Sequence, residues 1–292
     1  MDFAALQVFR AVAEEGGISA AARKLHRVQS NVTARIQQLE ASLGTPLFVR
    51  DRRRLHLSPA GETFLSYARQ ILQVSEAARA ALQGREARGV LRIGTLESTA
   101  ASRLPALLSR YHAKHPEVRV ELATGTTDAL VEAVAARELE AAFVANFAPA
   151  PALQSLPAFE ERLVVVLPRA HPRLRNARDL RTDTIISFPA GCAYRRLLQA
   201  WLAEAGAAPQ RIHELASYHA IVACVASGTG IAIVPRSVLA TVRAAERVRT
   251  VPLHGRYGRA ATSLVWRRGE VSPALQALHA ALRPSPARRR DS

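Results

Sequence analysis

The sequence predicts an α/β protein with a helical N-terminal region, a long connecting helix and a larger C-terminal region. Apolar residues recur at helical spacing through residues 1–88, whereas short apolar strands alternate with helices from residue 89 onward. Such alternation is typical of an α/β fold in which helices cover a sheet. A chain of 292 residues is also long enough for about two domains, each with its own core.

The composition is that of a globular protein with a strong basic excess. Hydrophobic residues make up 49% of the chain and charged residues 22%, which excludes a disordered or collagen-like chain. There are 40 basic and 24 acidic residues, and a net charge of +16 attracts polyanions such as nucleic acid. Because every basic residue except Lys24 and Lys114 is arginine, the base composition of the genome is an alternative cause of the excess.

The cysteines and the N-terminus bear on cofactors and compartment. Cys192 and Cys224 are too few for a disulfide scaffold and do not make a zinc site by themselves, so we expect no metal or other cofactor. The N-terminus lacks the basic start and apolar core of a secretory signal. The uncharged stretch 216–235 contains glycine, serine and threonine residues, which argue against a membrane span. We therefore expect a cytoplasmic protein.

The first helices of the chain have the spacing of a helix-turn-helix. Phe3, Leu6, Phe9 and Val12 recur at helical intervals, and the pair Gly16-Gly17 is expected to end this first helix. Ser19 is placed to cap a second helix of small residues, which is expected at 20–25.

The third helix is expected to carry one apolar and one polar side. Its apolar stripe consists of Val28, Val32, Ile36, Leu39 and Leu43. Short hydroxyl and amide side chains on the opposite side suit the major groove of DNA, where such groups bond base edges. A solvated surface is the alternative, but the helix-turn-helix spacing favours DNA. The candidate DNA-binding residues here are Ser19, Gln29, Ser30, Asn31, Thr33, Ala34 and Arg35.

An arginine cluster follows in the segment TPLFVRDRRRLHLSP, residues 45–59, which alternates enough to form a small β-hairpin. The cluster comprises Arg50, Arg52, Arg53 and Arg54. A solvated turn is the alternative, since most charge runs are solvated. Beside a helix-turn-helix, a basic wing along the DNA backbone or minor groove is the better interpretation.

A long helix is expected over residues 59–88, with Pro59 in its first turn. Its apolar seam is formed by Phe64, Leu65, Ala68, Ile71, Leu72, Ala78 and Leu82. A small winged domain is expected to be too small to cover the whole seam. We therefore expect the seam to pair with a second copy of the chain rather than to fold back on its own domain.

The C-terminal region alternates strands with helices. Strands are expected at 90–96, 119–124, 141–146, 162–167, 184–188, 230–234 and 262–267, and helices at about 101–114, 127–137, 194–206, 218–227 and 272–282. This order predicts a largely parallel sheet covered on both faces.

Polar residues at the carboxyl ends of these strands are candidates for binding a small molecule, because ligands of open α/β sheets bind there. They are Glu97, Ser98, Thr99, Thr126, Thr127, Asn146, Gly191, Cys192, Tyr194 and Arg195. Helix capping by Ser98 and Thr127, or a salt bridge of Glu97 within the protein, are the structural alternatives. The hydroxyl and N–H groups could hold an anion, with Arg195 on its carboxylate. If Glu97 and Arg195 both face one cleft, a zwitterion such as an amino acid would satisfy both, so we expect an anionic or zwitterionic metabolite.

Cys192 raises two further alternatives. At a helix N-terminus its thiol could be a nucleophile or a redox sensor, but a small packing residue is the simpler interpretation. The sequence contains no phosphate loop, metal-ligand spacing or G-x-S-x-G elbow. We therefore expect no enzymatic activity, and a redox-responsive regulator that uses Cys192 is kept as the second hypothesis.

The run AARKLHRVQSNVTARIQQLEASLGTPLFVRDRRRLHLSPAGETFLSYARQIL resembles the winged helix-turn-helix of LysR-type transcriptional regulators. The matching residues are Phe9, Val12, Ala21, Ala22, Leu25, Gln29, Val32, Ile36, Leu39, Glu40, Leu43, Gly44, Leu47, Phe48, Arg50, Pro59, Ala60 and Gly61. Where many members read Ser-Gln-Pro-Ala-Val-Ser-Arg, this chain reads Val-Gln-Ser-Asn-Val-Thr-Ala from Val28 to Ala34. Base preference is therefore not transferable from other members.

The resemblance implies a transcriptional regulator that binds double-stranded DNA and consists of three parts. They are a DNA-binding domain (1–58), a dimerisation helix (59–88) and a two-lobed, periplasmic-binding-protein-like effector domain (89–292). One lobe is expected at about 89–161 and 266–283 and the other at about 162–265, with the effector bound between them. The resemblance also implies a homodimer or homotetramer and allows a contact with RNA polymerase.

Overall fold

The computed structural model describes residues 1–51, 54–82, 87–172, 174, 176–180 and 184–282. The chain divides near residue 85 into two compact units. The N-terminal unit contains α1 (Phe3–Glu15), α2 (Ile18–Lys24), α3 (Gln29–Leu43), β1 (Phe48–Asp51), β2 (Arg54–Leu57) and α4 (Pro59–Leu82). Strands β1 and β2 are antiparallel and form the expected wing.

The core of the N-terminal unit comes from one side of each helix. Leu6, Phe9 and Val12 of α1 pack with Val32, Ile36 and Leu39 of α3, as the apolar spacing predicts. Asp2 caps α1, since its Oδ1 accepts a hydrogen bond from the Ala5 backbone N–H at 2.8 Å. Gly16 ends α1 in the left-handed conformation, with φ of 70°.

Two predictions about helix ends are wrong. Helix α2 begins at Ile18 with Gly17 in the cap position, so Ser19 lies exposed within its first turn and caps nothing. Val28 precedes α3 in an extended conformation and is 67% exposed, so the buried stripe of this helix starts at Val32. In both places the helical spacing is correct, but it does not define the residue at which the helix starts.

The expectation that α4 turns its seam toward another copy is also wrong for the first half of the helix. Ala68 and Leu72 are buried in the core of their own unit, and the Phe64 ring centroid lies 5.1 Å from that of Phe9. What α4 leaves exposed is a different stripe, in which Tyr67 and Val74 are 57% and 59% exposed. The apolar seam therefore fixes α4 to the winged domain.

The C-terminal unit begins with β3 (Gly89–Thr95), α5 (Glu97–Ser102), α6 (Leu104–Lys114), β4 (Val118–Thr124), α7 (Thr127–Ala135), β5 (Ala141–Ala145) and β6 (Leu153–Pro168). It continues with β7 (Thr184–Ser187), α8 (Ala193–Glu204), β8 (Arg211–Glu214), α9 (Tyr218–Ala226), β9 (Ala232–Pro235), α10 (Arg236–Leu239), β10 (Val248–Pro252), β11 (Arg259–Arg267) and α11 (Pro273–Leu282). Strands β8 and β10 and the first half of β6 were not predicted.

The main sheet is mixed rather than largely parallel, which corrects the expectation. Its order is β10-β6-β11-β5-β3-β4, and β9 also pairs with β6. Strand β3 is parallel to β4 and β5, whereas β11 is antiparallel to β5 and β6. The reason is that the long strands β6 and β11 are neighbours that run in opposite directions. A largely parallel sheet would need a crossover helix between each strand and the next.

Strand β6 divides the C-terminal unit into two lobes. Its first part, up to Arg162, pairs with β11 in the first lobe, and its second part, from Leu163, pairs with β9 and β10 in the second. Strands β7 and β8 complete the second lobe as a parallel pair. Because Thr262–Trp266 pair with β5, the chain returns to the first lobe earlier than the expected boundary at 266.

The start of α4 requires a glycine at residue 61. Gly61 N donates to Ser58 Oγ at 2.9 Å, and a Cβ atom on Gly61 would lie 2.0 Å from the backbone oxygen of Leu47. We expect Gly61→Ala to lower the free energy of unfolding by about 1–3 kcal/mol, because an added methyl group has no space. Urea denaturation measures this change. Gly17→Ala is the control, since nothing lies within 4 Å of a Cβ there; equal losses in both variants would contradict the prediction.

Candidate functional site

The exposed side of α3 carries the polar residues that the sequence placed there. Gln29, Ser30, Asn31 and Ala34 are exposed, whereas Val32 on the other side is fully buried. Thr33 is half-buried, and its hydroxyl donates to the backbone oxygen of Gln29 at 2.9 Å. This side of the helix therefore presents amide and hydroxyl groups at its first two turns, with backbone N–H groups at its N-terminus.

Two arginines flank this surface in different ways. Arg35 forms an ion pair with Asp2 at 3.1 Å, so part of its charge is already compensated by the carboxylate that caps α1. Arg27, in the turn just before α3, is exposed and forms no ion pair with any residue that the structure describes. Arg27 is not among the residues predicted from the sequence, although a basic residue next to a polar helix N-terminus is a usable signal.

Glu40 fixes the wing beside α3. Its Oε1 accepts hydrogen bonds from Leu47 N at 2.7 Å and Phe48 N at 3.1 Å, which orients the start of β1. Arg50 and Arg54 lie on the two wing strands, where Arg50 pairs with Leu55 and Arg54 with Asp51. Arg52 and Arg53, the other two arginines of the predicted cluster, lie outside the described residues.

A cleft between the two lobes of the C-terminal unit collects five of the ten predicted ligand residues. They are Glu97, Ser98, Thr126, Cys192 and Tyr194, and the cleft is completed by Leu96, Gly125, Phe188 and Tyr218. Its volume, including the mouth open to solvent, is about 240 Å³. Phe188 and Tyr218 are not among the residues predicted from the sequence, although Phe188 ends the predicted strand 184–188 and Tyr218 begins the predicted helix 218–227.

The remaining five residues do not line this cleft. Asn146 adopts φ of 50°, and its Oδ1 accepts from Ala261 N at 3.2 Å, so its amide completes the pairing of β5 with β11. Arg195 turns away and pairs with Glu214 at 2.5 Å. The condition for a zwitterion held between Glu97 and Arg195 is therefore not met in this arrangement.

Thr99, Thr127 and Gly191 lie next to the cleft and support its walls. Thr99 is buried in α5, and Thr127 Oγ1 donates to the backbone oxygen of Ala145 at 3.4 Å. Gly191 has φ of 87°, and a Cβ atom there would lie 2.9 Å from Thr126 Oγ1. Gly191 therefore permits the close approach of a loop from each lobe.

Polar atoms buried in the cleft lack well-aligned partners in the described part of the chain. Glu97 Oε2 is buried without a hydrogen-bond partner there. The buried hydroxyls of Ser98 and Tyr194 form no well-aligned hydrogen bond, although they lie close to each other and Tyr194 also lies close to Thr262. Buried polar groups in native proteins are nearly always hydrogen-bonded, because an unpaired one costs about 1–3 kcal/mol. A cluster of such atoms therefore marks a place built to receive water or a polar ligand.

A buried carboxylate links the lobes beside the cleft. Glu161 on β6 is 2% exposed. It accepts hydrogen bonds from Arg103 of the first lobe at 2.7 Å and from Ser237 of the second at 2.6 Å. Arg196 and Asp128, 2.7 Å apart, form a second contact across the lobes on the exposed side.

Comparison with known proteins agrees with this arrangement in both units. Residues 3–62 match the bacterial regulatory helix-turn-helix proteins of the lysR family, and residues 84–287 match the LysR substrate binding domain. The chain belongs to the LysR family of transcriptional regulators.

Two relatives of this LysR-family regulator span almost its whole length. The HTH-type transcriptional regulator GltR of Bacillus subtilis is 39% identical over 279 residues, which is 95% of this chain and 94% of that protein. YusT of the same organism, also an HTH-type transcriptional regulator, is 41% identical over 278 residues, or 94% of this chain and 93% of that protein. This chain is accordingly a DNA-binding transcriptional regulator with a substrate-binding effector domain, and not an enzyme.

Solved structures of full-length LysR regulators share the fold. CbnR in complex with its target DNA matches with a TM-score of 0.69 and 28% identity, over 97% of this chain and 99% of that one. OxyR from Pseudomonas aeruginosa matches with a TM-score of 0.74 but only 21% identity, over 97% of this chain and 94% of that one, so that likeness concerns the fold alone. No helix among the described residues of the regulator is long and apolar enough to cross a membrane.

The environment of Cys192 does not favour the redox hypothesis for this LysR regulator. The thiol is buried, and burial raises its pKa despite the nearby N–H groups of Arg195 and Tyr194. A raised pKa keeps the group in the thiol form, which is less reactive toward oxidants than the thiolate. The structure therefore agrees with the alternative of a small packing residue at the start of α8.

Burial acts in the same direction on Glu97 and favours its neutral form. It raises the pKa of this carboxyl group, against the hydrogen bond from Tyr218 N at 3.4 Å and the nearby His219. A carboxyl group whose pKa is higher in the folded protein stabilises the fold below its ordinary pKa and loses that contribution as pH rises through the folded value. In the absence of ligand, the ionisation of Glu97 as pH rises therefore removes stability from the fold of the regulator.

We expect Glu97→Gln to raise the Tm of the ligand-free regulator by a few degrees at pH 7.5, with a gain that shrinks toward pH 4. The physical reason is that the amide has no charge to bury. Thermal denaturation at both pH values measures the effect, and the exposed Glu132 supplies the control Glu132→Gln. A lower Tm of Glu97→Gln at pH 7.5 would show that the ionised carboxylate stabilises the site.

Proposed function

We propose that this regulator recognises an operator through α3 and the wing, and that a small molecule bound between the lobes changes this recognition. The observation that carries the DNA-binding part is the one-sided burial of α3. Val32, Ile36 and Leu39 are at most 5% exposed, while the polar residues Gln29 and Asn31 on the other side are exposed. Such a helix can enter a major groove without disturbing the core that holds it.

Within this surface we assign base contacts to α3 and phosphate contacts to its flanks. Gln29 and Asn31 carry amides of the type that bond adenine edges in pairs, and Ala34 suits a thymine methyl group. Arg27 and the wing arginines Arg50, Arg52, Arg53 and Arg54 are assigned to the DNA backbone. Ser30 and Thr33 reach bases or phosphates, while Arg35 shares its charge with Asp2.

The effector part of the proposal rests on the cleft. Glu97, Ser98 and Thr126 come from the first lobe, whereas Cys192, Tyr194 and Tyr218 come from the second. A ligand that contacts both lobes binds one relative arrangement of them more tightly than another, and it shifts the population toward that arrangement. The cleft is smaller than the roughly 300–1,000 Å³ of drug-sized sites, so a small metabolite is the expected effector.

Assembly is the third part of the proposal. Tyr67 and Val74 form an exposed apolar stripe on α4 that is not the stripe packed on the winged domain. We propose that this stripe pairs with a second copy, so that two copies of α3 read half-sites about one DNA turn apart or a multiple of it. We retain 1–58, 59–88 and 89–292 as the DNA-binding, dimerisation and effector parts. A cytoplasmic homodimer or homotetramer that contacts RNA polymerase completes the proposal.

Paired substitutions test the DNA-binding assignment. Gln29→Ala is expected to cost about 1–3 kcal/mol on the operator and to relax preference at one base pair, because a bidentate base contact is lost. Arg27→Ala is expected to weaken binding to every duplex and to reduce the slope of log K against log salt by about 1. Titration of labelled operator and random duplexes at several salt concentrations measures both. Equal losses on operator and random DNA for Gln29→Ala would contradict the assignment.

A charge on α4 tests the assembly. Val74→Asp is expected to weaken self-association about tenfold or more, because an unpaired carboxylate would be buried between two helices. Sedimentation equilibrium measures the change. Ser66→Asp is the control, because it adds the same charge to α4 away from the stripe of Tyr67 and Val74. Unchanged association of Val74→Asp would move the dimer interface elsewhere.

A further inference from the structure

The lining of the cleft has a negative and no positive side chain. Among the described residues that line the cleft, Glu97 carries the one carboxyl group. The other lining residues are uncharged or, as for the thiol and phenol groups, very weakly acidic. The two arginines that begin α8 have other partners. Arg195 pairs with Glu214 and also donates to the backbone oxygen of Phe188 at 3.4 Å, and Arg196 pairs with Asp128. Among the described residues that line the cleft, an anionic ligand would therefore meet a carboxylate and no cationic side chain, while His219 acts on the charge of Glu97 from outside this lining.

Glu97 needs a hydrogen-bond donor that the described residues do not supply. Its Oε1 accepts a long hydrogen bond of 3.4 Å from Tyr218 N, while its Oε2 is buried and has no partner among them. An unpaired buried carboxylate oxygen is costly, and a charged donor compensates it best. The donor with three N–H groups and no acceptor is an ammonium group.

Acceptors for the remaining N–H groups lie in the same cleft. Ser98 and Tyr194 are 2% and 3% exposed, and their hydroxyl groups lie close to each other without a well-aligned hydrogen bond in the described part of the chain, so their oxygens retain lone pairs for a ligand donor. Hydroxyl groups accept hydrogen bonds as well as donate them. A carboxylate with two neighbouring hydroxyl oxygens matches the three donors of one ammonium group.

Aromatic rings complete a binding site for a cation. Phe188 and Tyr218 lie with ring centroids 4.8 Å apart, and both line the cleft together with Tyr194. Aromatic faces attract cations through the ring quadrupole, most strongly where water is excluded. Carboxylate, hydroxyl acceptors and aromatic faces therefore favour the same ligand group.

We propose that the effector of this regulator carries a primary ammonium group, which donates to Glu97 Oε2 and to the hydroxyl oxygens of Ser98 and Tyr194. This rests on the proposed function, in which a small molecule binds between the lobes. The ammonium group belongs either to a simple amine or to a zwitterion such as an amino acid. In both cases the recognition group is Glu97, and Arg195 takes no part.

Matched pairs of probes test the ligand class on the full chain by isothermal titration calorimetry. Each pair differs only in ammonium against hydroxyl: L-alanine and L-lactate, L-phenylalanine and L-phenyllactate, ethanolamine and ethylene glycol, putrescine and 1,4-butanediol. We expect at least one ammonium probe to bind at least tenfold more tightly than its hydroxyl partner. Binding of L-alanine or L-phenylalanine would indicate a zwitterion as the effector, whereas binding of ethanolamine or putrescine would indicate a simple amine. The proposal would be overturned if no ammonium probe binds more tightly than its hydroxyl partner, or if the amino acids and the hydroxy acids bind equally well.

Substitutions locate the binding group. For the probe that binds, Glu97→Gln is expected to lower affinity at least tenfold, since a neutral amide replaces a charged acceptor. Glu132→Gln, which removes an exposed carboxylate from α7, is expected to leave affinity unchanged, as is Arg195→Gln. Retained binding in Glu97→Gln together with lost binding in Arg195→Gln would assign the ligand to an anion and overturn the proposal. The thermal denaturation of each variant confirms that it folds.

Operator binding separates this proposal from the proposed function. Should an ammonium probe bind through Glu97 but leave the affinity and footprint of the operator complex unchanged, the ligand class would stand and effector control would be wrong. Should a metabolite without an ammonium group bind in the cleft and change the footprint, effector control would stand and the ligand class would be wrong.

Discussion

The N-terminal unit depends on the fact that α3 is buried along one side only. Val32, Ile36 and Leu39 fix the helix to α1 and α2, and no polar side chain of its exposed face is needed for that packing. Glu40, near the end of the same helix, accepts two backbone hydrogen bonds from Leu47 and Phe48 and so orients the wing. One helix therefore supplies the buried anchor, the exposed polar surface and the support of the wing, which keeps the polar surface and the wing in a fixed relation.

Periodicity predicted the elements of the fold but not their ends or their partners. The apolar spacing of α4 required a covering surface, yet spacing alone does not say whether that surface is α1 or another copy. Phe9 provides it for Phe64, so the first half of the seam is intramolecular. The first half of β6 was missed because Pro157 argues against a central strand. A register shift between Thr262 and Ser263 of the neighbouring β11 accommodates this proline, as β-bulges do.

The cleft was predicted in position but only partly in its residues. The rule that ligands bind beyond the carboxyl ends of strands identified Glu97, Ser98 and Thr126, because that rule follows from chain direction. It cannot give the orientation of neighbouring side chains on a helix, which differ by about 100° per residue. Tyr194 therefore faces the cleft while Arg195 faces Glu214. Such orientations are decided by tertiary packing, which a single sequence does not display.

The buried Glu161 limits how the lobes respond to a ligand. Its carboxylate is compensated by Arg103 from one lobe and Ser237 from the other, so a wide separation of the lobes would break at least one of these hydrogen bonds. The Arg103 side chain is 37% exposed, so breaking this pair costs less than the roughly 3–5 kcal/mol of a fully buried one, but it leaves the buried Glu161 carboxylate without its charged partner. A ligand that favours the separated arrangement must supply this difference. A small ligand has few contacts with which to supply that difference. Movements that keep the Arg103–Glu161 pair intact, such as a small rotation about β6, are therefore favoured over an open hinge.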